Sequence, residues 1–209
     1  MPRAAKLVSL VPMLVLLAVS CTPHQQPPSL DAKYKSVETA NPAQTQRIDF
    51  QLPLFAPAGL RGAYVLALQT CSDNAALSMI RDMVSIKMTV FGFTCGTDQR
   101  LHISYSTAGV LQGAPTLVSI DPYEQPLPLA AWRISSAAAM NTALSKGGAD
   151  FLHSNPGSYA FSQTLSNNTM TAIDNRHPFE WDIEFVTPAF SKQLHIFIDA
   201  GSGTFLGVR

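Results

Sequence analysis

From Phe179 to Phe185, large apolar and acidic side chains alternate without interruption: Phe179, Trp181, Ile183 and Phe185 against Glu180, Asp182 and Glu184. A period of two is the repeat of a β-strand with one buried face. The segment therefore predicts a half-buried strand in an antiparallel sheet, the kind of sheet that can keep one face in water. Its aromatic side needs a cover, and the sequence supplies one upstream. Ile134-Ser135-Ser136-Ala137-Ala138-Ala139-Met140-Asn141-Thr142-Ala143-Leu144-Ser145-Lys146-Gly147-Gly148 reads as a helix, with serine as N-cap, alanines and leucine inside, and glycine as the stop. Tyr159, Phe161 and Leu165 mark a strand before the acidic one, and Leu194, Ile196 and Ile198 mark one after it. Asp199-Ala200-Gly201-Ser202-Gly203 supplies turn chemistry before Thr204 to Val208 resume an extended course. Glu180, Asp182 and Glu184 are expected to face water, as a solvated surface or as a docking stripe for a partner.

The same order of elements recurs upstream. Leu60, Ala63, Tyr64, Ala67, Leu68 and Cys71 fit one helical face, and Ser72-Asp73-Asn74 is expected to interrupt it and cap a second short helix through Met79 and Ile80. Val84, Ile86, Met88 and Val90 alternate with Ser85, Lys87, Thr89 and Phe91, which predicts a strand. Leu101, Ile103 and Tyr105 predict another, and Thr116 to Ile120 a third that stops at Asp121-Pro122. Placing Ile120-Asp121 on Ile198-Asp199 also places Ile103 on Trp181, a fixed offset that argues for internal duplication. The expected class is α+β: two αβββ units, residues 55–130 and 131–209, packed side by side or joined in one sheet across a pseudo-twofold. Trp181, Phe179, Ile183 and Ile198 should be buried.

The N-terminal segment sets the address. Arg3 and Lys6 precede an apolar run from Leu7 to Val19 that is too short to span a bilayer, and small residues lead into Cys21. Leu16-Leu17-Ala18-Val19-Ser20-Cys21 resembles the bacterial lipobox, with Ala18 where leucine is commoner. The resemblance implies that residues 1–20 are a signal peptide, that Cys21 is diacylated, and that the protein is held to a membrane by lipid. Thr22 follows the cysteine in place of aspartate, which implies transfer to the outer membrane, facing the periplasm, in a cell that has one. Residues 21–54 form the anchor and a flexible tether, with Pro23, Pro27, Pro28 and Pro42 set among polar residues.

Cys71 and Cys95 remain as one pair in a chain that matures outside the cytosol, and are read as a disulfide with two buried thiols as the alternative. Of 14 basic residues the signal removes two, leaving 12 against 14 acidic ones. That balance, with no Lys/Arg cluster, offers no footprint for nucleic acid. His24, His102, His153, His177 and His195 form no HExxH pair, and no metal or cofactor is expected. His102 and His195 read as structural histidines within strands, and Gly201-Ser202-Gly203 as a turn, since the G-x-S-x-G spacing is absent.

Ile134-Ser135 with Ala139 and Ala143, followed by three strands and Ile198-Asp199-Ala200-Gly201-Ser202-Gly203-Thr204-Phe205, resembles the PepSY domain. That family has an I-[ST]-x-x-x-A-x-x-x-A helix and a closing V-D-x-x-T-G-x-V turn. The likeness spans the second unit, with a fainter copy in the first, where Glu124-Gln125 stands in place of Ser/Thr-Gly. It implies a noncatalytic envelope module that docks a protein partner, such as a peptidase it restrains or a complex it serves. An enzyme built from scattered polar residues and a small-ligand-binding lipoprotein are the alternatives. A deep pocket with converging ionisable groups is what the enzyme reading requires and the docking reading does not.

Overall fold

All eight strands join one antiparallel sheet in the order β4-β3-β2-β1-β5-β6-β7-β8. They are β1 (Ala75–Met83), β2 (Met88–Cys95), β3 (Gln99–Ser106), β4 (Thr116–Ser119), β5 (Tyr159–Asn167), β6 (Phe179–Val186), β7 (Gln193–Asp199) and β8 (Phe205–Val208). The structure, a computed structural model, describes residues 52–71, 75–96, 98–120, 122–173 and 176–209. The signal segment, Cys21, the tether up to Gln51, Ser72-Asp73-Asn74 and Asp121 lie outside the described residues. Among the described residues, three α-helices accompany the sheet: α1 (Leu60–Thr70), α2 (Ser136–Ala143) and α3 (Ala149–Ser154). The α+β class therefore stands, and the two meanders meet as one continuous sheet, through β1 and β5 paired antiparallel with Ile80 opposite Leu165.

Each half contributes four strands: β8 is the extended course expected at Thr204 to Val208, and the strand that was not expected is β1. Met79 and Ile80 lie in β1, not in a short helix. A register shift between Leu77 and Met79 breaks the period of two and hides the strand from a periodicity argument. Val84 to Ile86 form a 3-10 turn, and Lys87 adopts the left-handed conformation at φ 53° before β2 begins at Met88. The apparent alternation of Val84, Ile86, Met88 and Val90 thus runs across a turn. In β2 the core side chains are Phe91 and Phe93, opposite in register to the expected set.

In the second half Ser135 caps α2 as read, its Oγ accepting from Ala138 N–H at 3.2 Å. The glycines end the helix as read: Lys146 and Gly147 leave helical geometry, Gly147 at φ 121°, and a separate short helix, α3, begins beyond this kink. Gly148 lets the backbone close on the sheet, since a Cβ there would lie 2.6 Å from Phe185 Cζ.

One apolar core unites both halves. Ala63 and Ala67 of α1 and Ala139 and Ala143 of α2 share it with Phe91, Ile103, Trp181 and Ile198 of the sheet. Trp181, Ile183 and Ile198 are fully buried as expected, and Phe179 is half-buried against the core. Trp132, from the connection between β4 and α2, enters the same core. The Nε1–H groups of Trp132 and Trp181 both donate to the carbonyl of Ile134, at 2.8 and 2.9 Å. Leu52 packs on this core and Phe55 meets Trp132 edge-on with centroids 5.3 Å apart, so the chain entering from the tether lies on the helical side of the sheet. Cys71, just after α1, is bonded to Cys95 at the end of β2, with Cα atoms 5.1 Å apart.

Candidate functional site

The alternation that buries Trp181, Ile183 and Phe185 beneath the helices sends Glu180, Asp182 and Glu184 to the opposite, helix-free face. Strand register then sets polar rows across it. Arg81, Thr164, Asp182 and Phe197 form one, and Met83, Ser162, Glu184 and His195 the next. Glu180 follows Ser166 and Met79 in a third.

The three carboxylates share a face as expected, but they are not an exposed stripe. Glu180 is 2% exposed and Glu184 9%. The β5–β6 connection folds over the face, so that the Ile173 N–H donates to Glu180 Oε2 at 3.4 Å. The Ile173 side chain rests where β8 has no side chain, with its Cδ1 2.7 Å from the position a Cβ on Gly207 would take. Ser162 Oγ donates to Glu184 Oε2 at 2.9 Å. Asp182, half-buried, pairs with His195 Nδ1, its two oxygens at 2.9 and 3.1 Å. A buried carboxylate requires such partners, because an unpaired charge there costs several kcal/mol.

His195 is the hub of this arrangement. Its Nε2 lies 3.9 Å from Glu184 Oε1, and its ring stacks on Phe197 with centroids 6.3 Å apart. The hydrogen bond to Asp182 raises its pKa above 6.5; the charges of Asp182 and Glu184 add to that, against burial and Arg209. The Arg209 guanidinium lies over the Phe197 ring at 5.3 Å.

Between these groups and β1 lies a cavity of about 320 Å³, lined among others by Arg81, Glu124, Thr164, Asp182, His195 and Arg209. Arg81 donates from Nε to Thr164 Oγ1 at 3.0 Å. Glu124 arrives from the β4–α2 connection, which bridges to Asn168, and it pairs with Arg100. The Arg100 side chain lies across β2 at Gly92, where a Cβ would stand 3.0 Å from its Cδ. Glu124 Oε1 and His102 Nε2 are buried without a hydrogen-bond partner. Burial lowers the His102 pKa, and the charges of Arg100 and Arg81 lower it further. A wall of carboxylates, arginines and one imidazole suits recognition of charged or strongly polar groups.

The remaining expected sites fall elsewhere. The Asp199 turn forms as read: its Oδ1 accepts from Gly201 N–H at 3.0 Å, Ser202 N–H at 2.6 Å and Ser202 Oγ at 2.8 Å. Partial burial pushes the Asp199 pKa up, but these bonds and His177 outweigh it and hold the carboxyl below 3.8. Among the described residues, no group of three or more His, Cys, Asp or Glu is placed to hold a metal ion. No described helix is long and apolar enough to cross a membrane.

Sequence reasoning missed Arg81, Thr164 and Glu124. Arg81 lay between the segment read as a short helix and the strand read from Val84, and Glu124 reaches the face only through its long connection. The period-two placement of Arg81 and Met83 beside Ile80 was the available signal.

No family model matches the sequence, and no curated protein matches it. Among solved structures, a crystal structure described as a "putative lipoprotein" from Clostridium difficile 630 is similar, at 11% sequence identity. The match covers 75% of this chain and 97% of that one with a TM-score of 0.48, a likeness too slight to assign a fold or a role.

Proposed function

We propose that this protein is a lipid-anchored, noncatalytic binding module of the bacterial cell envelope that engages a partner protein through the helix-free face of its sheet. The observation that carries this reading is the breadth of the polar face, on which Arg81, Thr164, Asp182 and His195 stand on four adjacent strands. Leu52 and Phe55 pack on the helical side of the sheet, opposite that face. His195 is held by the carboxylates of Asp182 and Glu184 and stacks on Phe197, an arrangement suited to a charged binding surface. The lipobox-like run ending at Cys21 supports the anchor and the outer-membrane address. The PepSY-like motifs support a docking role, restraint of a peptidase included.

A cavity of about 320 Å³ also falls within the range of small-ligand sites, and this favours a small polar ligand as the second reading. The test is quantitative affinity isolation of the anchored chain against an Arg81→Glu, Asp182→Lys variant. A protein recovered with the parent and lost from the variant, at unchanged melting temperature, supports the reading. Equal recovery moves the binding surface elsewhere.

A further inference from the structure

The ends of the sheet are chemically unlike. Met83 pairs with Met88 and Ser162, Met88 with Ser106, and Val186 with Gln193, which brings the β1–β2, β3–β4 and β6–β7 turns and the α3–β5 turn to one end. These turns, residues 84–87, 107–115, 187–192 and 155–158, contain no aspartate or glutamate and carry Lys87 and Lys192. Asp82 stands beside the first of these turns, its carboxylate accepting from Thr89 Oγ1, while Asp98, Glu124 and Asp199 stand in or beside the turns of the opposite end.

The turns of the first end also hold out apolar side chains. Val84 is 40% exposed, Ile86 59%, Val110 60% and Phe190 46%. The three non-glycine residues of left-handed φ, Lys87, Ala189 and Phe190, all lie in two of these turns. Such conformations cost of order 1 kcal/mol or more each and persist where surrounding structure imposes them. Here they shape the turn that carries Ile86 and Lys87, and the one that sets Phe190 edge-on against Phe161 with centroids 5.0 Å apart.

Apolar tips interleaved with lysines and free of carboxylates match the interface of an anionic bilayer, where the tips enter the headgroup region and the lysines meet phosphate. We propose that this end of the sheet lies against an anionic lipid surface and orients the anchored domain. The proposal rests on lipid attachment at Cys21, which brings the domain to such a surface, and it concerns an end of the sheet distinct from the cavity.

The lipidated full-length protein is reconstituted in brominated phosphatidylglycerol/phosphatidylethanolamine vesicles and in brominated phosphatidylcholine vesicles. Tryptophan is introduced by Ile86→Trp, Phe190→Trp or, as a control at the opposite end, Met170→Trp. Trp132 and Trp181 are buried and supply a constant background. The added emission at positions 86 and 190 should shift to the blue and be quenched in anionic vesicles, more than in neutral ones, while that at 170 is unaffected. Lys87→Gln and Lys192→Gln should each lower the ratio of contacting to free domains about fivefold.

Flotation of the protein with no quenching at 86 and 190 overturns the proposal while leaving the anchor intact. Quenching at 170 equal to that at 86 overturns the orientation. Shielding of position 86 from aqueous iodide in native envelopes, without bromine quenching, assigns these turns to a protein and overturns the lipid contact. Failure to float refutes the anchor, and the proposal with it.

Discussion

Two indoles sharing one carbonyl make the core testable by a double-mutant cycle. Trp132 Nε1 and Trp181 Nε1 donate to Ile134 O at 2.8 and 2.9 Å, and the rings lie 6.3 Å apart. Changing either to Phe removes one donor and part of a buried ring but leaves the carbonyl with its other partner. Each single change should cost about 1–3 kcal/mol, the sum of a net hydrogen bond and a small cavity. The double change leaves the carbonyl between two buried rings with neither donor. It should therefore exceed the sum of the singles by a further ~1–3 kcal/mol, the penalty for an acceptor stripped of partners. Trp181→Ala, which empties the whole site, should cost about 3–5 kcal/mol. The assay is urea unfolding of the disulfide-intact protein by far-ultraviolet circular dichroism, with midpoints read alongside slopes so that denatured-state effects are seen. Additivity of the two Phe changes to within about 0.5 kcal/mol would refute the shared-acceptor argument.

Other perturbations follow from the same geometry. The raised pKa of His195 means its stabilising contribution is fully present below about pH 6.5 and fades as pH rises through the higher folded value. Stability should fall over that window in the parent and stay flatter in His195→Gln, as measured by unfolding at a series of pH values. Burial raises the Asp82 pKa above 3.8 despite hydrogen bonds from Thr89 and Ser136, so Asp82→Asn should stabilise the protein at neutral pH, and a lower melting temperature would contradict this. Reducing the Cys71–Cys95 bond, which closes a separation of 24 residues, should cost about 3 kcal/mol in the chain-entropy picture, measured by unfolding with and without reductant. Gly148→Ala sets a methyl 2.6 Å from the Phe185 ring and should cost about 1–3 kcal/mol; a neutral effect would show that the helix can lift away from the sheet.

The second half was the more legible in the sequence, and in the first the face of α1 and the strands β3 and β4 could also be read. Uninterrupted alternation from Phe179 to Phe185 placed β6 and assigned both of its faces, and the Ser135 cap and the Asp199 turn carry their chemistry in adjacent residues. Long-range effects were not legible. The irregularity in β1 removes the period that would have marked Met79 to Arg81 as strand, and the turn at Val84 to Lys87 happens to continue an apolar alternation, which inverted the register of β2. Burial of Glu180 and Glu184 was also invisible. It depends on Ile173 folding back over Gly207 and on His195 arriving from another strand, neither of which is encoded near the carboxylates. Residues that look solvated by period alone became the walls of a cavity.

The central claim is that binding uses the helix-free face. Its most direct test is a photo-crosslinking residue at Thr164, in the centre of that face, compared with one at Ala138, exposed on α2, in intact cells with the chain anchored through its own signal. The account predicts a discrete crosslinked species from position 164 that is absent from position 138 and is lost on adding Asp182→Lys. A discrete species from position 138 alone, with nothing from 164, would contradict it.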